Sequence, residues 1–135
     1  MLVSAATEDA SFEREGRPRI LADYIRNAYR NGLVPEYWKI EGVPDTSAMA
    51  IVDGAILEEP GPLQLILGKG AGIDTVQRWF ASARGARSAA GFAIGRTVYW
   101  EPACDFLLGR ASADEATARI AGNYATVISL WRGAR

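Results

Sequence analysis

Histidine is absent from the 135 residues, and lysine occurs only at positions 39 and 69. Without histidine, any proton transfer near neutral pH falls to carboxylates, lysine, tyrosine or water. The same absence argues against a zinc site of the usual ligand set. The one cysteine, Cys104, cannot close an internal disulfide, which fits a reducing, cytoplasmic setting. No apolar run approaches the roughly 20 residues that cross a bilayer. The opening Met1-Leu2-Val3-Ser4 has neither a basic region nor a long apolar segment, which argues against a secretory signal. A net charge of −1 leaves no broad electrostatic footprint for nucleic acid or an anionic membrane. The arginines at 84 and 87 form too small a cluster to change that. Arginine carries nearly all the positive charge. The two lysines therefore either mark places where an amine is needed or are survivors of arginine-rich codon usage.

What remains is ordinary globular protein, 49% hydrophobic and 23% charged, of a length suited to one domain over residues 1–135. Short apolar runs alternate with amphipathic stretches, the pattern of βα units around a parallel sheet. The runs are Leu2-Val3-Ser4-Ala5-Ala6, Tyr37-Trp38-Lys39-Ile40-Glu41, Leu63-Gln64-Leu65-Ile66-Leu67 and Ala90-Gly91-Phe92-Ala93-Ile94. A helix is expected over about residues 18–31, with Leu21, Ile25 and Ala28 at helical spacing and Gly32 as its stop. Asp45 can cap a second helix running to about Leu57. A third begins near Ile73, and a short fourth can start at Pro102. Ser112-x-x-Glu115 is a capping box for the last helix, whose apolar stripe is Ala116, Ile120, Tyr124, Val127 and Leu130-Trp131. Four such units are half of a (β/α)8 barrel, which takes about 250 residues. A half-barrel leaves two bare sheet edges and an uncovered inner face. The expected partners are therefore a second copy of the chain or a second half-barrel, unless the chain is part of a longer protein. A small open α/β sheet is the competing fold.

Side chains alternate along a strand, so Lys39 and Glu41 share one face and Trp38 and Ile40 the other. Trp38 and Ile40 suit a helix-covered face. Lys39 and Glu41 then point into the lumen near the strand's C-terminal end. Burial there would favour the neutral amine, which attacks carbonyls to form a Schiff base. Glu41 could pair with Lys39 or relay a proton. A Lys–Glu pair that only fills space fits the same spacing. Two later strands end in Gly68-Lys69-Gly70-Ala71-Gly72 and Gly95-Arg96. Glycines let a ligand approach the backbone, and a helix start offers free N–H groups to an anion. Barrels often build a phosphate site from the loops after the last two strands, which would place Lys69 and Arg96 beside it. Each glycine cluster also suits a plain turn. Neither matches a nucleotide P-loop, and no cofactor or metal is called for. Cys104 reads as a packing or surface thiol, Tyr99-Trp100 and Trp131 as packing, and Glu8-Asp9 as a solvated loop.

Three segments, Tyr37 through Gly42, Leu65 through Ala71 and Gly91 through Pro102, occur in an order and spacing that resemble a known domain. It is the barrel domain at the C-terminus of bacterial 5-dehydro-2-deoxygluconokinases of inositol catabolism, which also occurs alone. The tail from Phe106-Leu107-Leu108-Gly109 to Leu130-Trp131-Arg132 shares the resemblance. That domain is similar to class I aldolases acting on tagatose or fructose bisphosphates. The resemblance implies that Lys39 is the Schiff-base lysine and that Gly95-Arg96 helps hold a substrate phosphate. It implies reversible aldol cleavage of a phosphorylated keto-sugar. The position matching a further catalytic glutamate of the aldolases is Ser4 or Ala5, and the first four strands of such a barrel have no counterpart here.

Overall fold

The computed structural model describes residues 10–134. The predicted first run, Leu2 to Ala6, and Glu8-Asp9 lie outside the described residues. A π-helical segment, Phe12–Gly16, leads directly into α1 (Arg17–Arg30). Then follow β1 (Tyr37–Glu41), α2 (Thr46–Ile56), β2 (Leu63–Leu67), α3 (Ile73–Ser82), β3 (Ala89–Ala93), α4 (Arg96–Leu107) and α5 (Ala113–Gly133). The strands form a parallel sheet in the order β1-β2-β3. This is a mixed α/β fold of alternating units. The observed sheet has three strands, one fewer than the sequence suggests for the whole chain.

The strands form where short apolar runs meet glycine and proline at both ends. Lys39 pairs with Leu65 and Glu41 with Leu67 in the β1–β2 register. Between β2 and β3 the register slips at Gln64/Leu65, so Gln64 faces Ala89 while Leu65 faces Gly91. Ala90 is the extra residue and is exposed, the behaviour of a bulge. That slip starts β3 one residue before the predicted run.

One sheet face carries the core. Ile40, Ile66 and Val52 are buried together with Ile25, Ile56, Val76, Phe80 and Val127. Phe92, opposite Ile66, meets Phe80 and Trp131 at ring centroid distances of 5.4 and 6.1 Å. Trp131 therefore packs, as its place in the stripe predicts. Tyr99 and Trp100 do not: they are 43% and 60% exposed. On the core face Trp38 Nε1 donates to Tyr29 Oη at 3.0 Å, and that hydroxyl donates to the Ile56 carbonyl. Burial raises the Tyr29 phenol above its ordinary range, with the Trp38 bond acting the other way.

Local signals fix most helix ends. Asp45 caps α2 by accepting from Ala48 N at 2.9 Å, and Ser112 and Glu115 form the reciprocal capping box of α5. Arg84 donates to the Gly133 and Ala134 carbonyls at the end of α5, where a cation suits the helix dipole. α4 departs from expectation. It starts at Arg96, and Pro102 lies inside it. A proline there cannot donate to the carbonyl four residues back, which is Val98. Asn123 Nδ2 of α5 supplies the missing donor at 2.8 Å. No helix among the described residues is long and apolar enough to cross a membrane.

Candidate functional site

The C-terminal ends of the three strands form one rim. Glu41 is the last residue of β1, Gly68-Lys69-Gly70 follows β2, and Gly95-Arg96 follows β3. Ala71 N donates to the Gly68 carbonyl at 2.8 Å, closing a tight turn. Its two central residues, Lys69 and Gly70, have φ of 53° and 82°. Positive φ at both is the primed turn geometry. Gly70 adopts it freely, whereas a side-chain-bearing residue there costs about 1–2 kcal/mol. Lys69 is the one non-glycine residue among the described residues to do so. Strain of this kind gathers at functional positions.

Other contacts hold this turn. Arg96 Nη2 donates to the Lys69 carbonyl at 2.9 Å, and Thr97 Oγ1 donates to the Ala71 carbonyl at 2.7 Å. A Cβ on Gly70 would lie 3.4 Å from the Arg96 guanidinium carbon, so glycine lets that group lie against the backbone. A Cβ on Gly68 would approach Ile94 to 2.8 Å, so the β2 and β3 ends could not close as tightly around a larger residue. Lys69 Nζ lies 3.1 Å from Glu41 Oε2. The rim thus runs Glu41, Lys69, Arg96 through direct contacts. Gly72 and Gly95 are the residues that cap the starts of α3 and α4, and neither brings a side-chain hydrogen bond. Thr75 N and Val98 N turn back to the Gly72 and Gly95 carbonyls at 3.1 and 2.8 Å, and the N–H groups of the two residues ahead of each have no intrahelical acceptor.

The sequence places Gly68, Lys69, Gly70, Gly95 and Arg96 side by side, and the structure brings them together. Lys39 stands two residues before Glu41 on the same face, but two expectations about it change. Its side chain is exposed, so the described chain alone does not desolvate the amine. Glu41 pairs with Lys69 and not with Lys39, which makes no ion pair among the described residues. The cause is register: Glu41 lies beside Leu67, and the turn swings Lys69 back over it.

Sequence reasoning passed over Arg17. Its guanidinium donates to the Gly42 carbonyl just past β1, at 2.8 Å, and pairs with Glu13 at 2.7 Å. Arg17 Nη1 is buried without a partner among the described residues. The π-helical segment thereby docks at the rim. Nothing in the local sequence signals this contact, which spans 25 residues. Cys104 is half-buried on α4. Concave pockets occur at the opposite end of the sheet, where Tyr37 and Leu63 begin their strands beside Val34, Pro35 and Pro60.

A family model described as an uncharacterized protein conserved in bacteria, DUF2090, matches residues 8–135. The chain belongs to this family. No curated protein and no solved structure matches it. The DUF2090 match takes in every residue of the rim described above.

Proposed function

We propose that this DUF2090 chain is the C-terminal half of a (β/α)8 barrel that cleaves a phosphorylated keto-sugar through a Schiff base. The observation that carries the reading is the shared rim. A carboxylate and two cations, Glu41, Lys69 and Arg96, meet at the C-terminal ends of parallel strands, where barrels place their chemistry, and the exposed Lys39 stands two residues before Glu41 on the same face. In this reading Lys39 attacks the ketone carbonyl and water departs, leaving an iminium. The bond between the α and β carbons then breaks as the β-hydroxyl loses its proton and becomes a carbonyl; the electron pair forms an enamine, which is protonated and hydrolysed by water to free Lys39. Glu41 moves protons at the substrate hydroxyl. Lys69, Arg96 and the backbone at Gly68, Gly70 and Gly95 hold the phosphate, Arg96 by the N–H groups that its bond to Lys69 leaves free. No cofactor is required. The resemblance to the kinase-linked barrel domain and to class I aldolases supports this assignment, with a place in carbohydrate breakdown in the cytoplasm.

A second reading is a sugar-phosphate-binding domain without turnover. It is favoured by the exposure of Lys39 and by the engagement of Glu41 with Lys69. Two substitutions separate the readings. Under the lyase reading, Lys39→Arg abolishes cleavage of a keto-sugar phosphate while binding persists, and Arg96→Ala weakens binding by on the order of tenfold or more. Cleavage that survives Lys39→Arg removes the lysine from the chemistry. Affinity unchanged by Arg96→Ala removes the phosphate assignment.

A further inference from the structure

We propose that Lys69 is a switch between Glu41 and the phosphate: an anion seated at Arg96 draws the ammonium off Glu41 and frees that carboxylate for the chemistry at Lys39. The inference deepens the reading above and rests on its assignment of a phosphate to Lys69 and Arg96. In the ligand-free chain the rim pairs with itself. Lys69 Nζ lies 3.1 Å from Glu41 Oε2 and 3.4 Å from Oε1, so one ammonium covers both carboxylate oxygens. The Glu41 side chain has no other partner among the described residues. A carboxylate engaged on both oxygens is not available to a substrate hydroxyl. Lys69 thus serves Glu41 here, whereas turnover needs Lys69 at the phosphate and Glu41 at the substrate.

Three features suit the turn to this exchange. Its backbone is held without help from the Lys69 side chain. Ala71 N closes it on the Gly68 carbonyl, and the first two residues of α4 grip it, Arg96 at the Lys69 carbonyl and Thr97 at the Ala71 carbonyl. The ammonium can therefore change partner while the chain beneath it stays in place. The second feature is exposure. The Lys69 side chain is 59% exposed and that of Glu41 27%, and a pair this open to water holds weakly. The third is charge. Arg96 makes no ion pair among the described residues, and its guanidinium lies against the same turn, beside Gly70. Two cations face one carboxylate, so the rim is short of negative charge. A phosphate monoester carries about −1.5 to −2 near pH 7, more than the single charge of Glu41, so the ammonium gains by turning to it. Glu41 released in this way shares the face of Lys39 on β1. Binding at the remote phosphate thereby acts at the reacting carbon.

The test is calorimetric titration of the full chain with inorganic phosphate. Glu41→Gln is expected to tighten phosphate binding about two- to fivefold, the strength of an exposed ion pair, because Lys69 no longer has a partner to leave. In a Lys69→Met background the same change is expected to leave the affinity unaltered. Lys69→Gly, which suits the positive φ at this position, takes its place should the methionine variant fail to fold. Loss of a repelling charge alone would tighten binding equally in both backgrounds, and that result overturns the proposal. A wild-type affinity indifferent to Glu41→Gln overturns it as well. No phosphate binding by the folded wild type overturns both the switch and the phosphate assignment beneath it. Coupling as expected, with no Lys39 adduct from a keto-sugar phosphate, would sink the lyase reading and leave the switch standing. An adduct without the coupling would do the reverse.

Discussion

On the core face of the sheet, Ile40, Ile66 and Phe92 lie in register beneath helices and join one hydrophobic cluster. One residue away along each strand, Lys39, Leu65 and Gly91 lie in register on the other face, exposed or half-buried. The period of two in side-chain direction thus divides each strand into a structural set and an available set. The same backbone serves both. Substitutions on the core face should be read in stability, and those on the open face and rim in binding, association or chemistry.

The largest expected effect lies in the core. Phe80 is 1% exposed and meets Phe92 at a tilt and Trp131 edge-on, so Phe80→Ala should cost about 3–5 kcal/mol in urea unfolding. A loss under 1 kcal/mol would mean that the core face is not the stabilising one. Next is Gly42→Ala. A Cβ there would run into the Trp79 ring, and the resulting overpacking should cost about 1–3 kcal/mol. Asn123→Ala should cost about 1 kcal/mol by leaving the Val98 carbonyl without a donor. In a Pro102→Ala background, where residue 102 regains its N–H, the same change should cost less. A double-mutant cycle with no coupling would refute the link between the proline and the asparagine.

A smaller effect concerns pH. Hydrogen bonds from Arg119 and Arg110 hold the Asp105 carboxyl below its ordinary range. A carboxylate depressed in the folded state adds stability above its unfolded pKa, near 4, and loses it as pH falls through the folded value. Asp105→Asn should therefore narrow the gap between stability at neutral and at strongly acid pH. An unchanged gap would show that the cluster contributes nothing. The smallest effect belongs to the open face: Lys39→Arg should change stability by less than about 0.5 kcal/mol. A larger loss would make Lys39 a structural residue and remove the contrast between the faces.

Much of this fold was legible in the residues. Tyr37–Glu41 and Leu63–Leu67 are strands at the expected bounds because each apolar run is short and flanked by breakers. Asp45 and Ser112 cap as expected because capping depends on three or four neighbouring residues. What failed depended on distant partners. Pro102 reads as a helix start, yet it sits inside α4 because Asn123, in another helix, supplies the missing donor. Glu41 reads as the partner of Lys39 by spacing, yet the β1–β2 register and the left-handed Lys69 give it to Lys69. The bond from Arg17 to Gly42 carried no local signal, because that carbonyl is reached only after β1 is laid down. The adjacency of Lys69 and Arg96 was legible because both follow strands that pair directly.

The most direct test is borohydride trapping. The folded chain is incubated with a keto-sugar phosphate and reduced, and its peptides are mapped by mass spectrometry. The account predicts a reduced adduct on Lys39, absent from Lys39→Arg and from reactions without the sugar. An adduct confined to Lys69, or none on either lysine of a folded, assembled sample, would contradict it.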